Sequence, residues 1–122
     1  MALRVMIVDD ALFMRNMLKD ICVRAGFEVV AEGDNGESAL ALFREHRPDL
    51  VTMDIVMPKR SGIEALQDIV AEDPRARVVM VSALGQESLI VEAVEAGARD
   101  FIVKPFKEEK VLEIIRRVTA GP

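Results

Sequence analysis

The stretch LVTMDIVMP, Leu50 to Pro58, sets one carboxylate, Asp54, at the end of a run of apolar residues. Leu50 to Met53 is short and apolar enough to read as a strand, and Met57-Pro58 stops any continuation as strand or helix. A charge at the end of such a segment is either the first residue of a turn or a reactive group that the fold presents. The rest of the chain decides between them.

On both sides of this stretch, short apolar runs alternate with amphipathic segments. Val5 to Val8, Val29 to Ala31, Val78 to Val81 and Phe101 to Val103 join Leu50 to Met53 as strands, most of them apolar on successive positions. That pattern predicts strands covered on both faces. Residues of about 12–25, 36–46, 62–72, 86–96 and 107–119 read as helices. Phe13, Met17 and Ile21 would form the buried stripe of the first helix, and Val111, Ile114, Ile115 and Val118 that of the last. Gly26 and Gly97 each follow an alanine at a helix end, where a left-handed residue is wanted, and Pro48 and Pro74 sit just past two other helices.

Strand-helix alternation of this kind predicts an α/β fold, a (βα)5 open parallel sheet with helices on both faces. Of the two common doubly wound arrangements, the flavodoxin-like order 2-1-3-4-5 suits five strands, and its sites lie at the carboxyl ends of the strands.

The chain has 122 residues, 51% apolar and 30% charged, which suits one compact domain spanning 1–122. Lys and Arg number 16 against 21 Asp and Glu, a net charge of −5, which argues against binding nucleic acid through its phosphates. The one cysteine, Cys22, has no partner in the chain, and no Cys/His cluster spells a zinc site. It reads as a small buried hydrophobe, and His46 as a helix C-terminal residue, neither with a functional role. The opening MALRVMIVDD lacks a signal-peptide core, and no apolar run approaches the ~18 residues of a membrane span. A cytoplasmic, monomeric protein with no membrane attachment is expected.

The predicted strand ends carry Asp9-Asp10, Asp54, Ser82 and Lys104. Singly, each has a plain structural reading: Asp10 as the N-cap of the first helix, Asp54 as a turn residue, Ser82 as a cap for the helix near Gln86, Lys104 as a solvated residue before a proline. Their coincidence on four strand ends favours a site. Three carboxylates held together repel unless a cation joins them, and oxygen-only ligands suit Mg²⁺. Mg²⁺ and Lys104 would balance the three acids and neutralise a phosphoryl group, for which a carboxylate is a competent covalent acceptor.

With VDD after strand one, MDIVMP after strand three, VSA after strand four and KPF after strand five, the sequence resembles response-regulator receiver domains over essentially its whole length. Within that family, FMRNMLKDI, GFEVVAE, DLVTMDI and DFIVKPF are most similar to the chemotaxis regulators. The resemblance implies a two-component signalling switch, not an enzyme acting on other molecules. Asp54 would be the phosphoacceptor. Asp10 and Asp54 would bind Mg²⁺ directly and Asp9 through water, with the Val56 carbonyl completing the protein ligands. Lys104 would contact the phosphoryl group, with a cis bond to Pro105.

The resemblance further implies that Ser82 moves toward the phosphoryl group and that Phe101 turns inward behind it; Phe101 stands where chemotaxis proteins of enteric bacteria carry Tyr. Output would pass through helix four, strand five and helix five, bearing Glu87, Glu92, Glu95, Arg99, Lys107 and Lys110. Its partners would be a chemotaxis histidine kinase, a flagellar switch protein and a phosphatase. By the same resemblance Val56 and Leu84 would flank the path of the hydrolytic water, so an apolar pair there predicts slow dephosphorylation. Lys59-Arg60 is a cationic departure from the family's loop, read either as steering charge near the site or as an exposed pair.

Two rival readings compete. A haloacid dehalogenase-type phosphatase needs a second Asp two residues after the first, where Val56 stands. A receiver belonging to a longer regulator, with DNA-binding or methylesterase output, is compatible with the ending VTAGP, as is a stand-alone chain.

Overall fold

In the computed structural model, which describes residues 2–120, five strands and five helices alternate. They run β1 (Arg4–Val8), α1 (Leu12–Arg24), β2 (Glu28–Gly33), α2 (Ala39–His46), β3 (Leu50–Asp54), α3 (Gly62–Glu72), β4 (Val78–Ala83), α4 (Glu87–Glu95), β5 (Asp100–Lys104) and α5 (Glu108–Thr119). Every strand pairing is parallel and the sheet order is β2-β1-β3-β4-β5, the flavodoxin-like arrangement expected from the sequence.

All five residues of β3 are buried because its two faces meet different helices. On one face Val51 and Met53 join Met6, Val8, Val78 and Met80 under Phe43, Leu66, Ile69 and Ala93 of α2, α3 and α4. On the other, Leu50 joins Val5, Ile7, Val79, Val81 and Ile102 under Leu18, Ile21 and Cys22 of α1 and Val111, Ile114 and Ile115 of α5. Side chains of a strand alternate between faces, so a continuous apolar run becomes two half-cores.

Two expectations change. The buried face of α1 is Leu18, Ile21 and Cys22, whereas Phe13 is 74% exposed. Steps of four residues drift by about 40° each around a helix, so Phe13 lies about 80° from Ile21 and leaves the core face. Helix α2 begins at Ala39, not near 36, because Asn35 Oδ1 accepts the Ser38 N–H at 3.0 Å and holds the preceding residues in a turn. The glycine helix ends are as expected: Gly26 and Gly97 have φ of 85° and 114°. Of the ending VTAGP, Gly121-Pro122 lies outside the described residues.

Candidate functional site

Register brings the four strand ends to one place. Val8 stands beside Met53, Asp54 beside Val81, Ser82 beside Val103 and Ala83 beside Lys104, so the residues at these carboxyl ends share one edge of the sheet. Asp9 is 1% exposed, Asp54 7%, and Asp10 is exposed. One carboxylate oxygen from each of Asp9, Asp10 and Asp54 lies within 4.8 Å of the others.

The Asp9 N–H donates to the Gly33 carbonyl at 3.0 Å, and its Oδ1 accepts the Ala11 N–H at 2.8 Å. That fixes the carboxylate and leaves Oδ2 buried without a hydrogen-bond partner. Lys104 reaches in from β5, its Nζ 3.4 Å from Asp9 Oδ2 and 3.5 Å from Asp54 Oδ1. The Lys104-Pro105 bond is cis. Ser82 is fully buried with an unpartnered hydroxyl.

The end of β3 is held by α3. The Gly62 N–H donates to the Ile55 carbonyl at 2.7 Å, and a methyl group added at Gly62 would lie 1.9 Å from the Asp54 carbonyl oxygen. No side chain fits there without displacing the backbone of Asp54. Ser61 and Glu64 close a reciprocal capping box that starts the helix.

Burial pushes the Asp54 carboxyl up to about 7; the charge of Asp9 adds to the rise, Lys104 opposes it, and Asp10 raises it further. Ionised Asp54 therefore calls for more positive charge than Lys104 supplies. A buried Asp9 oxygen that no hydrogen bond satisfies, three clustered oxygen donors and a carboxyl that resists ionisation fit a hard divalent cation such as Mg²⁺.

The plain structural readings of the strand ends fail in three cases. Asp10 is not the N-cap of α1; Ala11 is, with no side-chain cap. Ser82 does not cap α4, since its hydroxyl is unpaired; the Gln86 side chain instead accepts the Ala83 N–H at 2.7 Å. Lys104 is not a solvated residue, its side chain being 20% exposed and ion-paired. Nor do Lys59 and Arg60 act as a free cationic pair: Arg60 is bound to Asp68 at 2.7 Å.

Around the site, Val56 and Leu84 are 57% and 76% exposed. Phe101 is 37% exposed and lines a depression of about 300 Å³ with Leu84, Ile90, Val91 and Val103. Glu87, Glu92, Glu95, Arg99, Lys107 and Lys110 are all exposed. Cys22 is buried, which pushes its thiol up to about 11. His46 ends α2, and its carbonyl accepts from Arg4 Nη2 at 2.7 Å.

The sequence reading missed the Arg60–Asp68 pair, the unpartnered Thr52 hydroxyl and the close approach of Gly62. The S-x-x-E spacing of Ser61 and Glu64 was an available signal for the α3 start and for a glycine lodged beside it.

Residues 5–116 match the response regulator receiver domain family. The chain is 57% identical over 117 residues to chemotaxis protein CheY of Bacillus subtilis, covering 96% of this chain and 98% of that one. It is 50% identical over 119 residues to chemotaxis protein CheY of Thermotoga maritima, covering 98% and 99%. Among solved structures, a chain of the CheX-CheY-BeF3-Mg complex from Borrelia burgdorferi superposes with a TM-score of 0.91 at 41% identity, over 95% of this chain and 88% of that one. Among the described residues no helix is long and apolar enough to cross a membrane. The carboxylate cluster, the lysine and the buried serine at the strand ends are thus those of a relative of the CheY proteins, and the chain belongs to the response-regulator receiver family.

Proposed function

We propose that the whole chain, residues 1–122, is one receiver domain that accepts a phosphoryl group on Asp54 from a histidine kinase and signals in chemotaxis. The observation that carries this reading is the placement of Asp54 at the end of β3, between Asp9, Asp10 and Lys104 and with the buried hydroxyl of Ser82 on the adjacent strand.

In the proposed reaction, an Asp54 carboxylate oxygen forms a bond to phosphorus as the phosphorus–nitrogen bond to the donor imidazole breaks, and the nitrogen leaves with that electron pair. Asp54 must be ionised to attack, and Lys104 favours that form. As charge spreads over the phosphoryl oxygens, Lys104 neutralises one and the Ser82 hydroxyl, which has no other partner, donates to another. Mg²⁺, held by Asp9, Asp10, Asp54 and the Val56 carbonyl, would neutralise phosphoryl charge as a Lewis acid. The chemistry extends to loss of the chain's own phosphoryl group and no further.

Output passes through α4, β5 and α5. There Phe101 and the depression beside Leu84 lie among exposed charges of both signs, a surface that would dock a flagellar switch protein. The similarity to chemotaxis proteins of closely matching length supports that partner, a chemotaxis kinase and a dedicated phosphatase.

The test is incubation with a small phosphodonor, with and without Mg²⁺, followed by mass spectrometry of wild type and Asp54→Asn. Mg²⁺-dependent, acid-labile addition of one phosphoryl group to wild type alone is expected. Acid-stable phosphate, or equal labelling of both proteins, would refute the mechanism. Pull-down with flagellar switch peptides then separates a motor messenger from a receiver with another output.

A further inference from the structure

The loop after Asp54 contains a strained turn with its own anchor. Lys59 has φ of 69°, a left-handed backbone that long side chains seldom adopt. The Arg60 N–H donates back to the Pro58 carbonyl at 2.8 Å, closing a three-residue turn about Lys59. Such a conformation persists where its surroundings over-determine it.

Here the surroundings do so from two sides. Arg60 lays its guanidinium on Asp68 of α3 as a two-point fork, Nε to Oδ2 at 2.7 Å and Nη2 to Oδ1 at 2.9 Å, with Nη1 3.5 Å from Glu64 Oε2. From the β2–α2 loop, Gly36 presses so closely that an added methyl group would lie 1.9 Å from the Arg60 carbonyl oxygen. Between this turn and Asp54 the chain has little slack, since Ile55 and Met57 are buried at 2% and 8% exposure. Any shift of Arg60 is passed to the peptide units around Val56.

We infer that Arg60 is a positioning residue, whose fork to Asp68 holds the strained Lys59 turn and so keeps the main chain beside Asp54 in the form that receives a divalent cation. This rests on the cation-binding reading proposed above.

Charge alone predicts the opposite sign. Taking a positive side chain away from the loop beside an acidic cluster would tighten the binding of a dication. If the fork positions the loop, its loss weakens binding, because the turn relaxes and carries the Val56 region with it. Lysine at position 60 keeps the charge but cannot form the fork.

Mg²⁺ titrations by calorimetry on the full chain separate these cases, with thermal unfolding in chelator to verify folding of each variant. Arg60→Met and Arg60→Lys are each expected to weaken Mg²⁺ binding by roughly three- to tenfold, as loss of a two-point charged contact would, and Asp68→Asn to do so in the same direction. Adding Lys59→Gly to Arg60→Met is expected to restore affinity to within about twofold of wild type, because glycine holds the left-handed turn without strain. Equal or tighter binding by Arg60→Met, or a double variant no better than Arg60→Met, would overturn the inference. Wild type that takes up no Mg²⁺ would overturn both it and the reading beneath it. Mg²⁺ uptake by wild type that Asp54→Asn weakens upholds that reading whatever Arg60 does, so the two failures remain distinct.

Discussion

Lys104 Nζ stands 3.5 Å from Asp54 Oδ1 and 3.4 Å from Asp9 Oδ2, one ammonium group shared between two buried carboxylates. A single positive charge cannot balance both, and Asp10 adds a third acid to the cluster. The imbalance appears in Asp54, whose carboxyl is pushed up to about 7 by burial and by Asp9 in spite of Lys104. A site tuned this way resists ionisation of Asp54 until more positive charge arrives.

That imbalance has a measurable consequence for stability. The folded-state value of Asp54 lies above its ordinary 3.8, so the folded protein binds this proton more tightly than the unfolded chain does. The penalty is absent below about pH 4, grows as pH rises, and is complete above about 7. In chelator, wild type should therefore lose stability relative to Asp54→Asn between pH 4 and 7, and saturating Mg²⁺ should abolish most of the difference. Urea denaturation across that range is the measurement, and parallel profiles for the two proteins in chelator would refute it.

How much of this was visible beforehand depended on whether the signal was local. The strands were legible because burial on both faces leaves apolar residues at successive positions, as in Val78 to Val81. The gathering of the candidate residues was legible because parallel topology collects strand ends, so Asp9, Asp54, Ser82 and Lys104 stand at one edge of the sheet although up to 95 residues separate them. Phe13 misled because it is a large apolar residue that faces outward. The Arg60–Asp68 fork was hidden because eight residues separate the partners, beyond the three- and four-residue neighbours of a helix face. Burial of Asp9 beside exposed Asp10 was equally hidden, since two adjacent identical residues carry no sign of which one the following turn will enclose.

Thr52 offers a cleaner test of packing. It lies in the middle of β3 at 1% exposure, between Ile7 and Val79, and its hydroxyl has no hydrogen-bond partner. Thr52→Val keeps the shape and removes an unsatisfied polar group, whose burial costs about 1–3 kcal/mol. The variant should match or exceed wild-type stability, by up to about 1 kcal/mol in urea. Threonine-to-valine changes are destabilising where the hydroxyl is bonded, so a loss of more than about 1 kcal/mol would mean that Thr52 has a partner.

On the proposed reading of Asp54, Val56 and Leu84 would bear on how long the signal lasts. Both side chains stand in the open beside the site, at 57% and 76% exposure, and neither can hydrogen-bond a water molecule. If they flank the approach of the hydrolytic water, Val56→Asn should quicken loss of the phosphoryl group several-fold by supplying a donor and an acceptor. The decay of radiolabel from isolated phosphoprotein measures this directly. Faster decay in wild type than in Val56→Asn would contradict the assignment.

On the proposed reading, Phe101 would bear on how the signal is read. Its ring is 37% exposed and lies between two depressions, one of about 300 Å³ toward α4 and one of about 490 Å³ toward α5. Burying a phenyl ring fully from the open is worth roughly 1.5–3 kcal/mol, and Phe101 at 37% exposure has about a third of that left to gain, so the inward position is accessible without large driving force. A hydroxyl carried inward without a partner would cost about 1–3 kcal/mol in protein interiors. Phe101→Tyr should therefore shift the ensemble outward before any phosphoryl transfer, lowering the inward population roughly fivefold or more. Aromatic NMR of the two proteins reads that population, and an unchanged ring distribution would show that the tyrosine hydroxyl finds a partner inside and that burial of the ring does not govern the switch.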